Sequence, residues 1–267
     1  MIPKILLSFD VEEFDMPLEY GRAISPEEQM QVGKGGLGKL MPILRDSTIQ
    51  TTLFTTANFA NHYPEIIHSL AQHHEIASHT FYHSSYATQD LKSSRERLSQ
   101  ISQQEVVGLR MPRMKQVPVA DIIQAGYAYD ASIHPTWLPG RYNNLHLPRK
   151  LYSEDGLFRV PASVSTFCRI PLFWLSFKNF PYSLYLKLAL HSMQQEGFLS
   201  LYFHPWEFVD IHSYGLPPYT TKGCQSALFD RLNQFIYDLK PHGEFMTYHA
   251  FVKSQVPTNI EITTKKP

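Results

Sequence analysis

The chain has 267 residues, of which 24 are Lys or Arg and 24 are Asp or Glu, so its formal net charge is zero. This balance gives no indication of nucleic acid or an anionic membrane as the main partner. Because 43% of the residues are hydrophobic and only 18% are charged, the chain can bury a large core and is not expected to be disordered.

Neither the cysteines nor the N-terminus indicate an exported protein. Cys168 and Cys224 are too few for a disulfide framework and lack the spacing of a metal motif. The first apolar run is too short for a signal peptide, and no stretch approaches the roughly 18 apolar residues of a membrane helix. We therefore expect a cytoplasmic protein without a membrane segment, with one domain over residues 1–267 and its core over 4–250.

The first predicted strand lies at residues 4–9, where the apolar run KILLSF ends in Asp10, Glu12 and Glu13. A run without polar alternation is typical of a strand buried on both faces, as in a parallel sheet covered by helices. In an extended segment Asp10 and Glu12 point to one side and Glu13 points to the other. From this stretch alone, an acidic turn solvated at the surface is an equally good interpretation.

Predicted strands and helices alternate from there, which favours an α/β fold with a parallel sheet, either open or closed into a barrel. Asn58 is the predicted N-cap of a helix that Pro64 divides. The elements after the first strand begin with a long cleft-building loop at 11–36, which a helix near 37–46 follows. The next elements, in chain order, are a strand at 51–55, a helix at 59–73, a strand at 75–78, a helix at 88–104, a strand at 106–109, a helix at 118–125 and a strand at 127–130.

The pattern loosens at residues 132–181, where prolines and aromatic residues surround probable strand pieces at 157–161 and 164–169. We interpret this stretch as a second cleft-building segment, although a structural insertion with buried aromatics explains it equally well. A helix at 182–196, a strand at 198–203, a helix at 225–239 and a strand at 245–248 follow, with a polar tail after Val256.

Polar side chains gather where the predicted strands end, and His79 and His83 have i, i+4 spacing. Two imidazoles and one carboxylate are a common ligand set for catalytic zinc, with a fourth position for water. The HxxxH spacing is weak evidence by itself in a chain with 13 histidines. The residues at the strand ends are Asp10, Glu12, His79, His83, Arg110, Asp130 and His204.

Five motifs resemble those of the NodB-like polysaccharide deacetylases, carbohydrate esterase family four, in the same order along the chain. They read SFDVEEF, HTFYH, RMP, YDAS and LYFHPWEF and span residues 8–208. The resemblance implies a distorted (β/α) barrel with about seven strands. The commoner family pattern has a second Asp where this chain has Val11, and the chain is similar to the branch with DVE and HPWE motifs, in which the metal ligand is two residues on, at Glu12.

The resemblance also implies a metal-dependent removal of N-acetyl groups from a sugar of a polysaccharide or glycan precursor. Glu12, His79 and His83 would hold a divalent metal, with zinc expected. Asp10 would act as the general base. His204 would act as the general acid.

The remaining roles that the resemblance implies are supporting ones. Arg110 would orient the base, Asp130 would hold the ring of His204, and a backbone N–H after Arg110 would face the oxyanion. Arg113 stands where the family has an aromatic residue and is a candidate for the substrate wall. Candidates for stacking on sugar rings are Trp206, Trp137 and Trp174.

Two other functions stay open at this stage. A related barrel hydrolase could act on a small non-sugar amide such as a ureide, with or without a metal. A catalytically silent relative could bind carbohydrate without turnover, but the competent residue types at every proposed catalytic position count against it. The sequence predicts no oligomeric state.

Overall fold

Short strands and helices alternate along residues 2–255, the part of the chain that the computed structural model describes. The strands are β1 (Lys4–Val11), β2 (Thr52–Thr55), β3 (Glu75–Ser78), β4 (Gly108–Leu109), β5 (Tyr129–Asp130), β6 (Trp137–Leu138), β7 (Tyr142–Asn143), β8 (Tyr152–Glu154), β9 (Leu157–Arg159), β10 (Phe198–Phe203) and β11 (Glu244–Phe245). The helices are α1 (Met16–Glu19), α2 (Pro26–Leu44), α3 (Ala57–His62), α4 (Pro64–Ala71), α5 (Gln89–Ser102), α6 (Val119–Gln124), α7 (Trp174–Asn179), α8 (Tyr182–Glu196), α9 (Pro218–Thr221), α10 (Ser226–Leu239) and α11 (Tyr248–Gln255).

Seven parallel strands form a curled sheet in the order β10, β1, β2, β3, β4, β5, β9. β8 adds an antiparallel edge, and β11 pairs with the start of β1. The irregular segment after β9 connects this end of the sheet to β10 at the other end. The Ser163 amide donates to the Ser200 carbonyl (2.9 Å), and the Ser200 amide donates to Ser163 Oγ (2.9 Å). The expected distorted barrel of about seven strands is confirmed.

β1 is buried on both faces, as its unbroken apolar sequence predicts. Leu7 and Phe9 pack in the outer core between sheet and helices, whereas Leu6 packs in a second cluster inside the barrel. α11 supplies Tyr248 and Phe251 to that inner cluster at the end where the strands begin. Because this end is filled, the opposite end, where the strands finish, is the one left for a site.

The expected loop at 11–36 is wrong, because most of it is helical. Ser25 caps α2 by accepting a hydrogen bond from the Glu28 amide (3.2 Å), and Pro26 takes the first helical position. The predicted helix at 37–46 is only the second half of α2. A capping serine followed by proline was the signal for this helix start.

Two glycines of α2 made this stretch resemble a loop, but they allow close packing. A Cβ on Gly33 would lie 2.6 Å from the Glu12 carbonyl oxygen. A Cβ on Gly36 would lie 1.8 Å from the Pro205 carbonyl oxygen. The glycines therefore let α2 support the segments that follow β1 and β10.

Gly36→Ala is expected to lower the free energy of unfolding by about 1–3 kcal/mol, because the added methyl displaces α2 from a backbone carbonyl. Gly38→Ala is the matched control, since a Cβ there meets nothing within 4 Å. Because Ala has a higher helix propensity than Gly, Gly38→Ala is expected to raise the free energy of unfolding by about 0.5–1 kcal/mol. Urea unfolding followed by circular dichroism measures both, and equal changes would contradict the packing role.

The helix expected at 59–73 is divided at Pro64, as predicted, but its cap is different. Thr56 Oγ1 accepts the hydrogen bond from the Phe59 amide (3.2 Å), so Thr56 and not Asn58 is the N-cap. The Asn58 side chain donates instead to Glu13 (2.5 Å).

Two predicted strands are wrong in whole or in part. The segment 164–169 forms only an isolated bridge between Val164 and Pro171. In the segment 245–248, β11 ends at its first residue and Tyr248 begins α11. Both segments contain the β-branched and aromatic residues typical of strands but are too short for periodicity to distinguish a strand from other structure.

The other predicted elements are present, with boundary shifts of a few residues. The strands at 75–78 and 198–203 and the helix at 182–196 have the predicted bounds. The tail after Val256 lies outside the described residues. Among residues 2–255, no helix combines the length and apolarity needed to cross a bilayer.

Candidate metal centre and catalytic cleft

Glu12 meets two imidazoles just past the ends of β1 and β3. Its Oε2 atom lies 3.0 Å from His79 Nε2 and 3.2 Å from His83 Nε2. One ligand atom from each of the three residues lies within 4.8 Å of the others. Glu13 points the other way, as the strand alternation predicts, and accepts a hydrogen bond from Thr56 Oγ1 (2.7 Å).

Both imidazoles are held at their other ring nitrogen. His79 Nδ1 lies 2.8 Å from the Arg110 carbonyl oxygen, so it must donate there, and Nε2 is the ring nitrogen that faces the carboxylate. His83 Nδ1 lies 2.7 Å from Asp15 Oδ1. Such partners fix the tautomer and ring orientation of metal-binding histidines.

The chemistry of this donor set fits a divalent metal. Glu12 Oε1 accepts a hydrogen bond from Trp206 Nε1 (3.0 Å), but the buried Oε2 accepts none from the described residues. Burial opposes ionisation of Glu12, yet His83, His79 and His204 hold its pKa well below the ordinary value. An ionised, incompletely bonded oxygen that faces two imidazole nitrogens is costly unless positive charge lies beside it, and a divalent metal would supply that charge.

Asp15 is a part of this centre that the sequence analysis missed, because it was assigned to the expected loop. Arg113 Nη2 donates to Asp15 Oδ2 (3.0 Å), its Nε donates to Glu19, and its Nη1 donates to the His83 carbonyl (3.0 Å). Arg113 does line the cavity, as expected of the substrate wall. Each of its three nitrogens, however, already donates to a protein oxygen, on Asp15, Glu19 or the His83 carbonyl.

Asp15→Asn is expected to weaken divalent metal binding by about 10–100-fold, because the charge that orients His83 is lost. Asp210→Asn is the control, since Asp210 Oδ1 pairs with His212 Nδ1 (2.8 Å) on the exposed surface. Competition with a chromophoric chelator measures both affinities. An unchanged affinity in Asp15→Asn would rule out the orienting role.

Asp10 lies beside this centre with Arg110 behind it. Arg110 Nη1 donates to Asp10 Oδ1 (2.5 Å) and to Ser8 Oγ (2.9 Å), while Nη2 donates to Tyr248 OH (2.9 Å). The guanidinium also stacks on the ring of Phe54, 3.9 Å from its centroid. Burial acts to lower the pKa of Arg110, but the charge of Asp10 raises that pKa above its ordinary value.

His204 faces Asp10 across the cleft, with Nε2 3.9 Å from Asp10 Oδ2. Its Nδ1 lies 3.0 Å from Glu207 Oε1, and Glu207 Oε2 lies 2.8 Å from the buried Lys178 Nζ. Burial acts to lower the pKa of His204, but Glu207 and the nearby acids raise it above the ordinary value. Burial acts to raise the pKa of Glu207, but Lys178 and His204 lower it.

The expected partner of His204, Asp130, is wrong. Asp130 is fully buried and accepts hydrogen bonds from Arg159 and Ser132, because Arg159 on the neighbouring strand β9 intercepts it. Ser132 Oγ accepts from the Met111 amide (2.8 Å), so Asp130 supports the loop after β4. The sequence analysis expected a backbone N–H after Arg110 to face the oxyanion, but the Met111 N–H already donates to Ser132.

The three tryptophans occupy different positions relative to the cleft. Trp206 is buried and stacks on His204, with ring centroids 4.7 Å apart at 21°. Trp174 lines the cavity with its ring edge-on to His204 (5.2 Å, 85°). Trp137 is 58% exposed on β6 and does not line this cavity, so its expected place in the cleft wall is wrong.

One cavity of about 230 Å³ brings the polar groups together. Its walls include the apolar side chains of Phe173, Met111 and Met114. A small cavity with a few converging polar groups is typical of a ligand or active site. The polar groups are Asp10, Glu12, His79, His83 and His204.

Residues 34–127 match the family model for polysaccharide deacetylases. The matched segment contains both imidazoles of the metal centre and the arginine behind Asp10. The resemblance to the NodB-like polysaccharide deacetylases is confirmed. Among curated proteins, none gives a significant match to the chain.

Solved structures of two proteins named as polysaccharide deacetylases and of one allantoinase share the fold. A probable polysaccharide deacetylase from Pseudomonas aeruginosa PAO1 has a TM-score of 0.66 and 15% identity, covering 96% of this chain and 92% of that chain. A second protein named as a polysaccharide deacetylase, from Mycobacterium smegmatis, has a TM-score of 0.62 and 19% identity. The match covers 99% of this chain and 94% of that chain. The allantoinase PuuE has a TM-score of 0.63 and 15% identity, covering 96% and 92%. At these identities the likeness concerns the fold alone.

The departure of this chain from the commoner deacetylase motif has a structural explanation. Val11, at the position of the second acid, is fully buried in the outer core. An acid there would face the helices and not the cleft. Glu12, one residue further along, is the carboxylate that reaches the imidazoles.

Proposed function

We propose that the protein is a metal-dependent hydrolase that removes the acetyl group from an N-acetylated sugar of a glycan or glycan precursor. One observation carries the proposal: the centre formed by Glu12, His79 and His83 opens into the same cavity as Asp10 and His204. The match to polysaccharide deacetylases supports an acetamide as the bond that is cleaved.

A divalent metal held by Glu12, His79 and His83, with zinc the expected ion, would polarise the amide carbonyl and increase the acidity of a water molecule. The protein supplies the donors and keeps them in place. Its contribution to binding the metal can be tested apart from turnover, by the affinity for the ion alone.

The proton transfers fall to two residues on opposite sides of the cleft. Arg110 engages Asp10 Oδ1, so Oδ2 is the oxygen that accepts a proton from the attacking water. His204 Nε2, whose ring is held by Glu207, donates a proton to the departing amine as the C–N bond breaks. The products are acetate and the free amino sugar.

Removing the metal is expected to reduce acetate release from N-acetylated sugars to the background rate, and adding zinc is expected to restore it. The purified protein is treated with a chelator, and acetate is measured with a coupled assay before and after the metal is returned. Circular dichroism of the chelated protein controls for unfolding. Equal acetate release from folded, chelated protein would contradict the metal-dependent mechanism.

A small non-sugar amide, such as a ureide, is the second candidate substrate. The fold shared with the allantoinase PuuE and the small volume of the cavity, about 230 Å³, favour it. Hydrolysis of allantoin by the metal-loaded protein, without acetate release from any N-acetylated sugar, would favour this second function over the first.

A further inference from the structure

Four segments surround the mouth of the cavity. They are α1 with the residue after it, the hairpin of β6 and β7, α7 with the residue before it, and α9. Each contributes side chains to the cavity lining, among them Glu19, Tyr20, Arg141, Tyr142, Trp174 and Tyr219.

The hairpin is joined to α1 across the mouth. Arg141, between β6 and β7, donates from Nη2 to Glu19 Oε2 at the end of α1 (3.1 Å). The other carboxylate oxygen of Glu19 binds Arg113, so Glu19 is fixed from two sides. The connection therefore links two segments that are 122 positions apart in the sequence.

The chain after α1 is joined to α9 on the other side. Tyr20 OH lies 3.1 Å from Tyr219 OH, within hydrogen-bonding distance. The Tyr219 carbonyl accepts a hydrogen bond from Asn179 Nδ2 at the end of α7 (2.8 Å). This chain of contacts runs from α1 through α9 to α7.

A buried contact joins the hairpin to α7 beneath these segments, through His134, which is fully buried. Tyr142 OH on the hairpin lies 3.0 Å from His134 Nδ1, and the ring of His134 packs against Phe173, next to α7 (centroids 5.4 Å apart). A polymer bound through its middle must leave the site in two directions. The contacts at the surface run from the hairpin through α1 and α9 to α7, which leaves only the side between α7 and the hairpin for a chain to leave by.

We infer that the cleft accepts one N-acetylated sugar, or the sugar at the end of a chain, and excludes internal units of a polymer. The inference rests on the proposed function and adds the size and position of the unit that it acts on. The cavity volume of about 230 Å³ supports it, because it lies below the roughly 300–1,000 Å³ of sites for larger ligands.

The test compares N-acetylglucosamine with its linear β-1,4-linked pentamer, using metal-loaded protein. Mass spectrometry with fragmentation locates each deacetylated unit in the pentamer. Release from a terminal unit is expected to be about tenfold or more faster than from any internal unit. Comparable rates at internal units would overturn the inference and leave the deacetylase function standing.

Tyr219→Ala removes one side of the tyrosine contact and is expected to bring internal units of the pentamer into reach. Tyr237→Ala is the matched control, because Tyr237 is 71% exposed on α10, outside the cavity lining. Thermal unfolding of both variants controls for stability. An unchanged pattern of deacetylation in folded Tyr219→Ala would count against the role of these surface contacts.

Binding separates failure of this inference from failure of the proposed function. Asp10→Asn protein, loaded with metal, is mixed with the pentamer, and saturation-transfer NMR reports which sugars contact it. Contacts confined to one terminal unit support the inference even where no acetate is released by the unaltered protein, whereas contacts spread over the middle units overturn it.

Discussion

Asp10→Asn is expected to lower kcat for amide hydrolysis by about 10²–10⁴-fold while the divalent metal stays bound. The amide of Asn cannot accept the proton that the attacking water must lose. Its carbonyl oxygen can still accept the hydrogen bond from Arg110, so the local geometry is largely kept. The side chains that would hold the metal are unaltered by this change.

Glu12→Gln is the informative comparison for Asp10→Asn, because it removes the charge of the metal-binding carboxylate. We expect it to lose metal affinity and activity together, whereas Asp10→Asn loses activity alone. Metal content by plasma mass spectrometry and kcat from acetate release distinguish the two. Because Arg110 is buried and loses its counter-charge, folding of Asp10→Asn is checked by its unfolding curve. Full kcat in the folded, metal-loaded variant would exclude Asp10 as the general base.

The sequence selected five polar residues that line the cleft, although it missed Asp15: they are Asp10, Glu12, His79, His83 and His204. Chemistry-bearing side chains followed apolar strands, and in a parallel α/β sheet the strand ends meet at one rim. The two-residue alternation of a strand was enough to separate Glu12 from Glu13, which points toward Thr56. These inferences depend on local order along the chain, which a sequence shows directly.

The partners of those residues could not be predicted in the same way. Asp130 and His204 lie at neighbouring positions in motif order, but Arg159 on β9 reaches Asp130 first, which depends on how the barrel closes. The Glu207–Lys178 pair joins a strand end to a helix of the irregular middle segment. Long-range charge pairing of this kind leaves no periodic signal in the sequence.

The glycines of α2 are a second case in which a contact distant in sequence could not be predicted. The stretch up to Gly36 is polar and was interpreted as having no period, and glycine lowers helix propensity, so a loop was the simpler interpretation. What makes Gly36 necessary is the Pro205 carbonyl opposite it, on a segment far along the chain. A glycine that allows two backbones to approach can be recognised only when both are known.

Glu207→Gln is expected to move the alkaline limb of the kcat/KM pH profile to lower pH. Glu207 raises the pKa of His204 against the effect of burial, so its loss lowers that pKa. A general acid works only while it is protonated, and activity falls as the pH rises through its pKa. A lower pKa therefore removes activity at a lower pH. The Gln carbonyl oxygen can still accept from His204 Nδ1, so the ring keeps its orientation.

The same substitution leaves Lys178 buried without its carboxylate, which is expected to cost about 3–5 kcal/mol of unfolding free energy. Adding Lys178→Met removes the unpaired charge, and the double variant is expected to recover much of that stability. The double variant should nevertheless keep the shifted alkaline limb, because the His204 imidazolium still lacks the negative charge of the Glu207 carboxylate. Urea unfolding and pH–rate profiles of the single and double variants separate the two effects. If the double variant regained the original limb, the shift would have come from disturbed packing and not from the charge of Glu207.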